Sequence, residues 1–146
     1  MAGENQSHFG DAGFREVLNM SVPAGDAAML AVTDAVAHKL KALNLSEEKQ
    51  LEIGLALQEA LANAVIHGCQ NDSSKTVRCR MMSDDGGRVL ITVSDPGPGF
   101  DPESPADPRL GENLYADHGR GIYLIRQLMD KVQFGSGGQE IHMWKY

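Results

Sequence analysis

Residues 89–100 read VLITVSDPGPGF. Val89 to Ser94 is rich in β-branched residues and alternates as a strand does, with a turn-forming cluster directly after it. Asp95 therefore stands where a strand stops. Pro96 and Pro98 hold φ near −65° and remove two N–H donors, while Gly97 and Gly99 permit close backbone approach or positive φ. Read alone, DPGPG is a tight strand exit in which Asp95 satisfies nearby N–H groups, or a fixed path presenting Asp95 to a ligand.

Upstream, Thr76–Met82 and Arg88–Ser94 flank Ser83-Asp84-Asp85-Gly86-Gly87, which predicts a β-hairpin. Phe14–Val22 predicts an edge strand that ends at Pro23. Asp26 to Leu43 carries Met29, Leu30, Val32, Val36, Leu40 and Leu43 at mostly helical spacing. Ser46, followed by Glu47 and Glu48, is a helix N-cap with acids in the first turn. From it a second helix runs to about Ile66 and stops near Gly68, with Leu51, Leu55, Gln58, Ala62 and Val65 on one stripe. Downstream, Phe100 to Asp117 is a long aperiodic loop, of the kind that is usually functional or disordered. Gly121–Asp130 predicts a third helix with Ile122, Ile125, Leu128 and Met129 inward. Lys131–Ser136 and Glu140–Tyr146 predict a closing hairpin around Gly137-Gly138.

Strand, helix, helix, hairpin, loop, helix, hairpin is not the alternation of a doubly wound sheet. It predicts an α+β fold, a two-layer sandwich with a mainly antiparallel sheet and helices on one face. The expected organisation is a flexible lead-in over residues 1–13 and one domain over 14–146, with no internal repeat. Of 146 residues 42% are hydrophobic and 23% charged, and no apolar run reaches the roughly 20 residues that span a bilayer. No membrane segment and no secretory signal is expected, so the expected location is the cytoplasm. Net charge is −7 with scattered basic residues, which argues against direct nucleic-acid binding. Cys69 and Cys79 are too far apart for a CxxC motif and read as buried or half-buried free thiols.

Three groups of residues could carry chemistry. Glu59 and Asn63 lie four apart on the second helix and project from one side of it, where they are either a solvated polar pair or holders of a hydrated Mg²⁺. Asp95 could accept a hydrogen bond from an exocyclic amine, which separates adenine from guanine. His118-Gly119-Arg120-Gly121 opens the third helix, where free N–H groups make either an ordinary cap or a phosphate cradle. It matches neither a P-loop nor GxGxxG.

Taken in order, EALANAVIHG (59–68), DPGPGF (95–100), the long loop and HGRGIYLIRQLMD (118–130) resemble the GHKL ATPase superfamily, with its Bergerat nucleotide fold and mainly antiparallel mixed sheet. The N-box EALANAVIHG and the GRGIYLIRQLMD box resemble, more narrowly, those of the anti-sigma factor serine/threonine kinases. The resemblance implies that Asn63 coordinates Mg²⁺ bridging the ATP phosphates and that Glu59 is general base toward a protein hydroxyl. It further implies that Asp95 binds the adenine amino group, with Gly97 and Gly99 making room for base and sugar. Residues 100–118 would be the ATP lid, and Gly119, Arg120 and Gly121 would face the phosphates. The implied activity is phosphorylation of a STAS-type anti-sigma factor antagonist, in competition with sequestering a sigma factor or equivalent partner, by a homodimer. The alternative is a nucleotide-gated binding module that transfers no phosphate. One position departs from the family pattern: Gln139 follows Gly138 where family members commonly have a threonine whose hydroxyl helps bind adenine.

Overall fold

In the computed structural model, residues 13–97, 121–135 and 139–146 are described. A five-stranded sheet runs in the order β1-β2-β3-β5-β4, with β1 Arg15–Pro23, β2 Thr76–Ser83, β3 Val89–Ser94, β4 Lys131–Gly135 and β5 Glu140–Lys145. Every neighbouring pair is antiparallel. Helices α1 (Asp26–Ala42) and α2 (Glu47–Asn63), with α3 over residues 121–128, supply the second layer, so the expected α+β two-layer fold is what the chain adopts. None of the helices among the described residues is long and apolar enough to cross a membrane.

Local chemistry explains most boundaries. Ser46 Oγ accepts from the Lys49 N–H at 3.2 Å, satisfying one orphan donor of α2. α1 ends at Ala42 with Leu43 as its C-cap, after which Asn44 takes φ 60°, a left-handed conformation that asparagine tolerates. Between β2 and β3, Asp84 Oδ1 accepts from the Gly86 and Arg88 N–H groups at 3.0 and 2.8 Å, and Gly87 takes φ 86°. β1 is an edge strand, as its proline suggested, and its register with β2 shifts between Glu16 and Leu18. The bulge turns Leu18, Met20 and Val22 to the helix side, where they join the core.

That core lies between Val77, Cys79, Met81, Ile91, Val93, Ile141 and Met143 of the sheet and Val32, Val36, Leu40, Ile53, Leu57 and Leu61 of the helices. Both thiols are free and buried within it, and burial pushes the Cys79 thiol up to about 12. Ile122, Ile125 and Met129 of the α3 region are buried as expected. Lys145, at the end of β5, ties sheet to helices: its Nζ donates to Leu128 O at 2.6 Å and pairs with Glu52 at 2.9 Å.

Two expectations need correction. Leu51 and Leu55 do not face inward; they are 62% and 39% exposed, while Ile53, Ala56, Leu57, Ala60 and Leu61 are buried. Leu30 of α1 is likewise outward. Both α2 stripes have helical spacing, and the one that wins contains alanines, which let the helix lie close to the sheet. The helical run stops near Gly68, as expected. After Asn63 it continues as a π-helical turn, Ala64–Gly68, in which the Cys69 N–H reaches back to Ala64 O at 2.8 Å. The left-handed residues come later, Gln70 at φ 54° and Asn71 at φ 59°.

The assignment of α2 faces has a direct test. Leu57→Ala should cost about 2–5 kcal/mol by urea unfolding, as core leucines do, whereas Leu55→Ala should cost under about 1 kcal/mol. Equal losses would mean that the helix is rotated from the orientation described.

Candidate functional site

The sheet and α2 place the candidate residues in two groups joined by the π-turn. The first group forms between α2 and α3. Gly121, the first described residue of α3, lies so close to α2 that a Cβ there would stand 3.2 Å from Glu59 Oε1 and 3.4 and 3.5 Å from the Asn63 amide nitrogen and oxygen. Glu59 and Asn63 therefore do share one side of α2, as their spacing required, and Gly121 closes over them. Among the described residues, neither side chain has a hydrogen-bond or ion-pair partner, and both are half-buried. Two oxygen-bearing groups beside a helix's first residues can meet a phosphate chain, a hard cation and a hydroxyl at once. The Asn63 carboxamide oxygen fits Mg²⁺, which takes few protein oxygens and completes its shell with water and phosphate.

The second group forms where β3 ends. Asp95 Oδ1 accepts from the Gly97 N–H at 2.8 Å, closing the turn on itself. This turn packs directly on Gly68, the last residue of the π-turn. A Cβ on Gly68 would fall 2.2–2.5 Å from the Asp95 carboxylate, and a Cβ on Gly97 would fall 2.3 Å from Gly68 O and 2.7 Å from Gly68 Cα. Of the two roles open to Gly97, close approach is the one the structure requires, since neither Gly97 nor Gly68 is among the positive-φ glycines. Burial raises the Asp95 pKa above the ordinary carboxylate value, and the bond from the Gly97 N–H only partly offsets this. The same carboxylate, after burial itself, raises the thiol of Cys69 next to Gly68.

Gln139 completes the second group from the other side. Its backbone oxygen accepts from the Asp95 N–H at 3.0 Å, and its side-chain Nε2 donates to Gly97 O. Gly99, Gly119 and Arg120, together with the expected lid over residues 100–118, lie outside the described residues. His67 takes part in an interaction of its own at the end of the π-turn.

Two participants were not singled out from the sequence as parts of the site. Gly68 was read as a helix stop, although a glycine one step beyond NAVIH also allows another backbone to press on it. Gln139 was noted as a departure, and its contact with Gly97 depends on a pairing 42 residues apart in the chain.

Comparisons with known proteins identify the family. The model of the histidine kinase-like ATPase domain matches residues 22–145. The serine-protein kinase RsbW of Staphylococcus epidermidis is 33% identical over 101 residues, covering 63% of this chain and 62% of that protein. The serine-protein kinase RsbW of Bacillus velezensis is 32% identical over 105 residues, covering 65% and 63%. The chain thus spans less than two thirds of the length of the curated relatives it matches. A solved histidine kinase domain, from the Erythrobacter litoralis EL346 blue-light activated histidine kinase, covers 83% of this chain and 62% of its own at 21% identity and a TM-score of 0.46. The matched residues run from the end of β1 through α2 and the Asp95 turn to the last strand, and the chain belongs to the histidine kinase-like ATPase domain family, as its resemblance to the GHKL ATPases implied.

Proposed function

We propose that the chain is an ATP-dependent protein serine/threonine kinase that phosphorylates a STAS-type anti-sigma factor antagonist and, in competition with that, sequesters a sigma factor or equivalent partner, acting as a homodimer. The observation that carries the reading is the meeting of Glu59 and Asn63 under Gly121, with Asp95 presented from the neighbouring turn. Membership of the ATPase domain family supports ATP as the nucleotide, and the two serine-protein kinases support transfer to a protein hydroxyl.

Each residue has a defined task. Asp95 accepts from the adenine amino group through the carboxylate oxygen that Gly97 does not use. Asn63 lends its carboxamide oxygen to Mg²⁺, which when bound neutralises charge on the phosphates. Gly121, with Gly119 and Arg120 before it, offers helix N-terminal amides to the phosphates. Glu59 takes the proton of the attacking serine or threonine hydroxyl as its oxygen bonds to the γ-phosphorus. The bond from that phosphorus to the bridging oxygen breaks, and ADP leaves. Phosphoryl transfer depends chiefly on such positioning and charge neutralisation, so this small set of groups is sufficient.

With γ-labelled ATP, Mg²⁺ and STAS-domain candidates, wild type should label a serine or threonine. Glu59→Gln should lower the transfer rate by about 10²–10⁴-fold while ATP binding stays near wild type. Asn63→Ala should lose both. Tight ATP binding without transfer to any candidate would favour the nucleotide-gated binding module instead.

Asp95 yields a prediction about pH. Its folded-state pKa lies above its unfolded value, so between the two the native state holds more protons and stability falls as pH rises through that window. Asp95→Asn removes an unfavourable buried charge, and its N–H acceptor survives as the Asn carbonyl. The nucleotide-free variant should therefore melt no lower than wild type at pH 7, while losing preference for ATP over GTP. Wild-type ATP affinity should weaken on acidification sooner than an ordinary carboxylate would dictate, which titration calorimetry across pH can measure. A lower melting temperature for Asp95→Asn, or unchanged base preference, would contradict this role.

A further inference from the structure

Gln139 stands where the family pattern has a threonine, and its contacts give it a different task. Three backbone groups of the turn 95–97 are fixed by hydrogen bonds among the described residues: the Asp95 N–H, the Gly97 N–H and the Gly97 carbonyl. Asp95's own carboxylate takes the Gly97 N–H, and Gln139 takes the other two, one through its backbone oxygen and one through its side-chain amide. Beneath the turn, Gly68 provides a flat backbone surface that no other residue could offer, because any Cβ would occupy the space of the Asp95 carboxylate. The turn is thus held between the end of α2 and the start of β5. Among the described residues the second Asp95 oxygen has no hydrogen-bond partner, and its direction is set by these two supports.

We propose that Gln139 is a positioning residue for base selection: by holding the Gly97 carbonyl while Gly68 backs the turn, it aims the second oxygen of Asp95 at the six-amino group of a purine and does not itself read the base. A hydroxyl that bonds to adenine reads the base directly. Here the carboxamide donor is spent on the protein, so selectivity passes through Asp95 alone. This inference rests on the ATP-site reading above.

The test compares ATP with inosine triphosphate, in which a carbonyl replaces the amino group. Gln139→Met keeps the length and loses the donor, and Gln139→Ala keeps only the backbone bond; thermal melting identifies which variants are folded, and either suffices. Loss of one net hydrogen bond should weaken ATP binding roughly three- to tenfold, with binding of inosine triphosphate little changed. In an Asp95→Asn background the same change should have almost no further effect, since a residue that acts through Asp95 has nothing left to aim. Gly68→Ala should give the same selective loss, larger, because its Cβ displaces the carboxylate itself.

Equal weakening for both nucleotides would overturn the proposal, as would a loss that persists in full in the Asp95→Asn background, which would mean direct contact with the base. Wild-type binding of ATP with no effect of any Gln139 variant would overturn this inference and leave the ATP site standing. Wild type that binds neither nucleotide would remove the ATP site and the inference together.

Discussion

The contact of Gly68 with the Asp95–Gly97 turn is the constraint on which the site depends. The Gly97 backbone and the Asp95 carboxylate both lie against the Gly68 backbone there, and a Cβ on either glycine would fall 2.2–2.8 Å from its neighbours, well inside van der Waals contact. The contact joins the end of the helix that carries Glu59 and Asn63 to the end of the strand that carries Asp95. Since Asn63 and Gly68 are five residues apart in one continuous helical run, the Glu59–Asn63 group and the Asp95 turn are separated by little more than a helical turn, about 8 Å along the axis. A nucleotide laid across both groups would use that fixed spacing as its ruler.

Holding the spacing has a stability cost that is visible in the electrostatics. Asp95 is pushed toward its protonated form by burial, and one N–H bond does not restore it. The rest of the fold must tolerate a partly desolvated carboxylate whose bond from the Gly97 N–H offsets only part of the cost of burial. Its compensation lies in the core beneath, where Met81, Ile91 and Met143 are fully buried under Leu57 and Leu61. At the far end, Lys145 satisfies a carbonyl of the α3 region as well as Glu52, which holds α2 and α3 against the same strand. The surface pairs of β1 and β2, such as Arg80 with Glu16, are exposed and add little. A carboxylate in an unfavourable place, supported by an ordinary apolar core, is the kind of trade of stability for activity that natural proteins tolerate.

Much of this was legible in local sequence because the signals were local. Ser46 before two glutamates, Asp84 before two glycines, and Pro23 at the end of an edge strand each fix a backbone group within a few residues, and each element formed where its signal stood. The face of α2 was not legible: Leu51 and Leu55 have the same spacing as Ile53 and Leu57, and only the sheet decides between them. Leu90 and Trp144 show the same limit from the sheet's side. They pair with each other on the face away from the helices, outside the main core, yet they are only 3% and 2% exposed, with the Lys131 ammonium 4.7 Å from the indole centroid. For the site, Glu59 with Asn63 followed from helical spacing, but the partners that orient Asp95 did not. Gly68 and Gln139 reach it only through the packing of three separate segments.

The π-turn is the least expected element, and the arrangement gives it a reason. An α-helix continued past Asn63 would pair each N–H with the carbonyl four residues back, whereas here Cys69 reaches five back to Ala64. The extra residue in the turn shifts the phase of everything after Asn63 without moving Glu59 or Asn63 themselves. It brings the one residue without a side chain, Gly68, under Asp95, and puts Cys69 into the core, where it is fully buried. Ala64 and Val65 stay inward and Ile66 turns outward, so the core gives up little for this change of pitch. A helix that presents Glu59 and Asn63 on one face and receives the Asp95 turn at its end needs two phases, and a local change from α to π supplies the second within five residues.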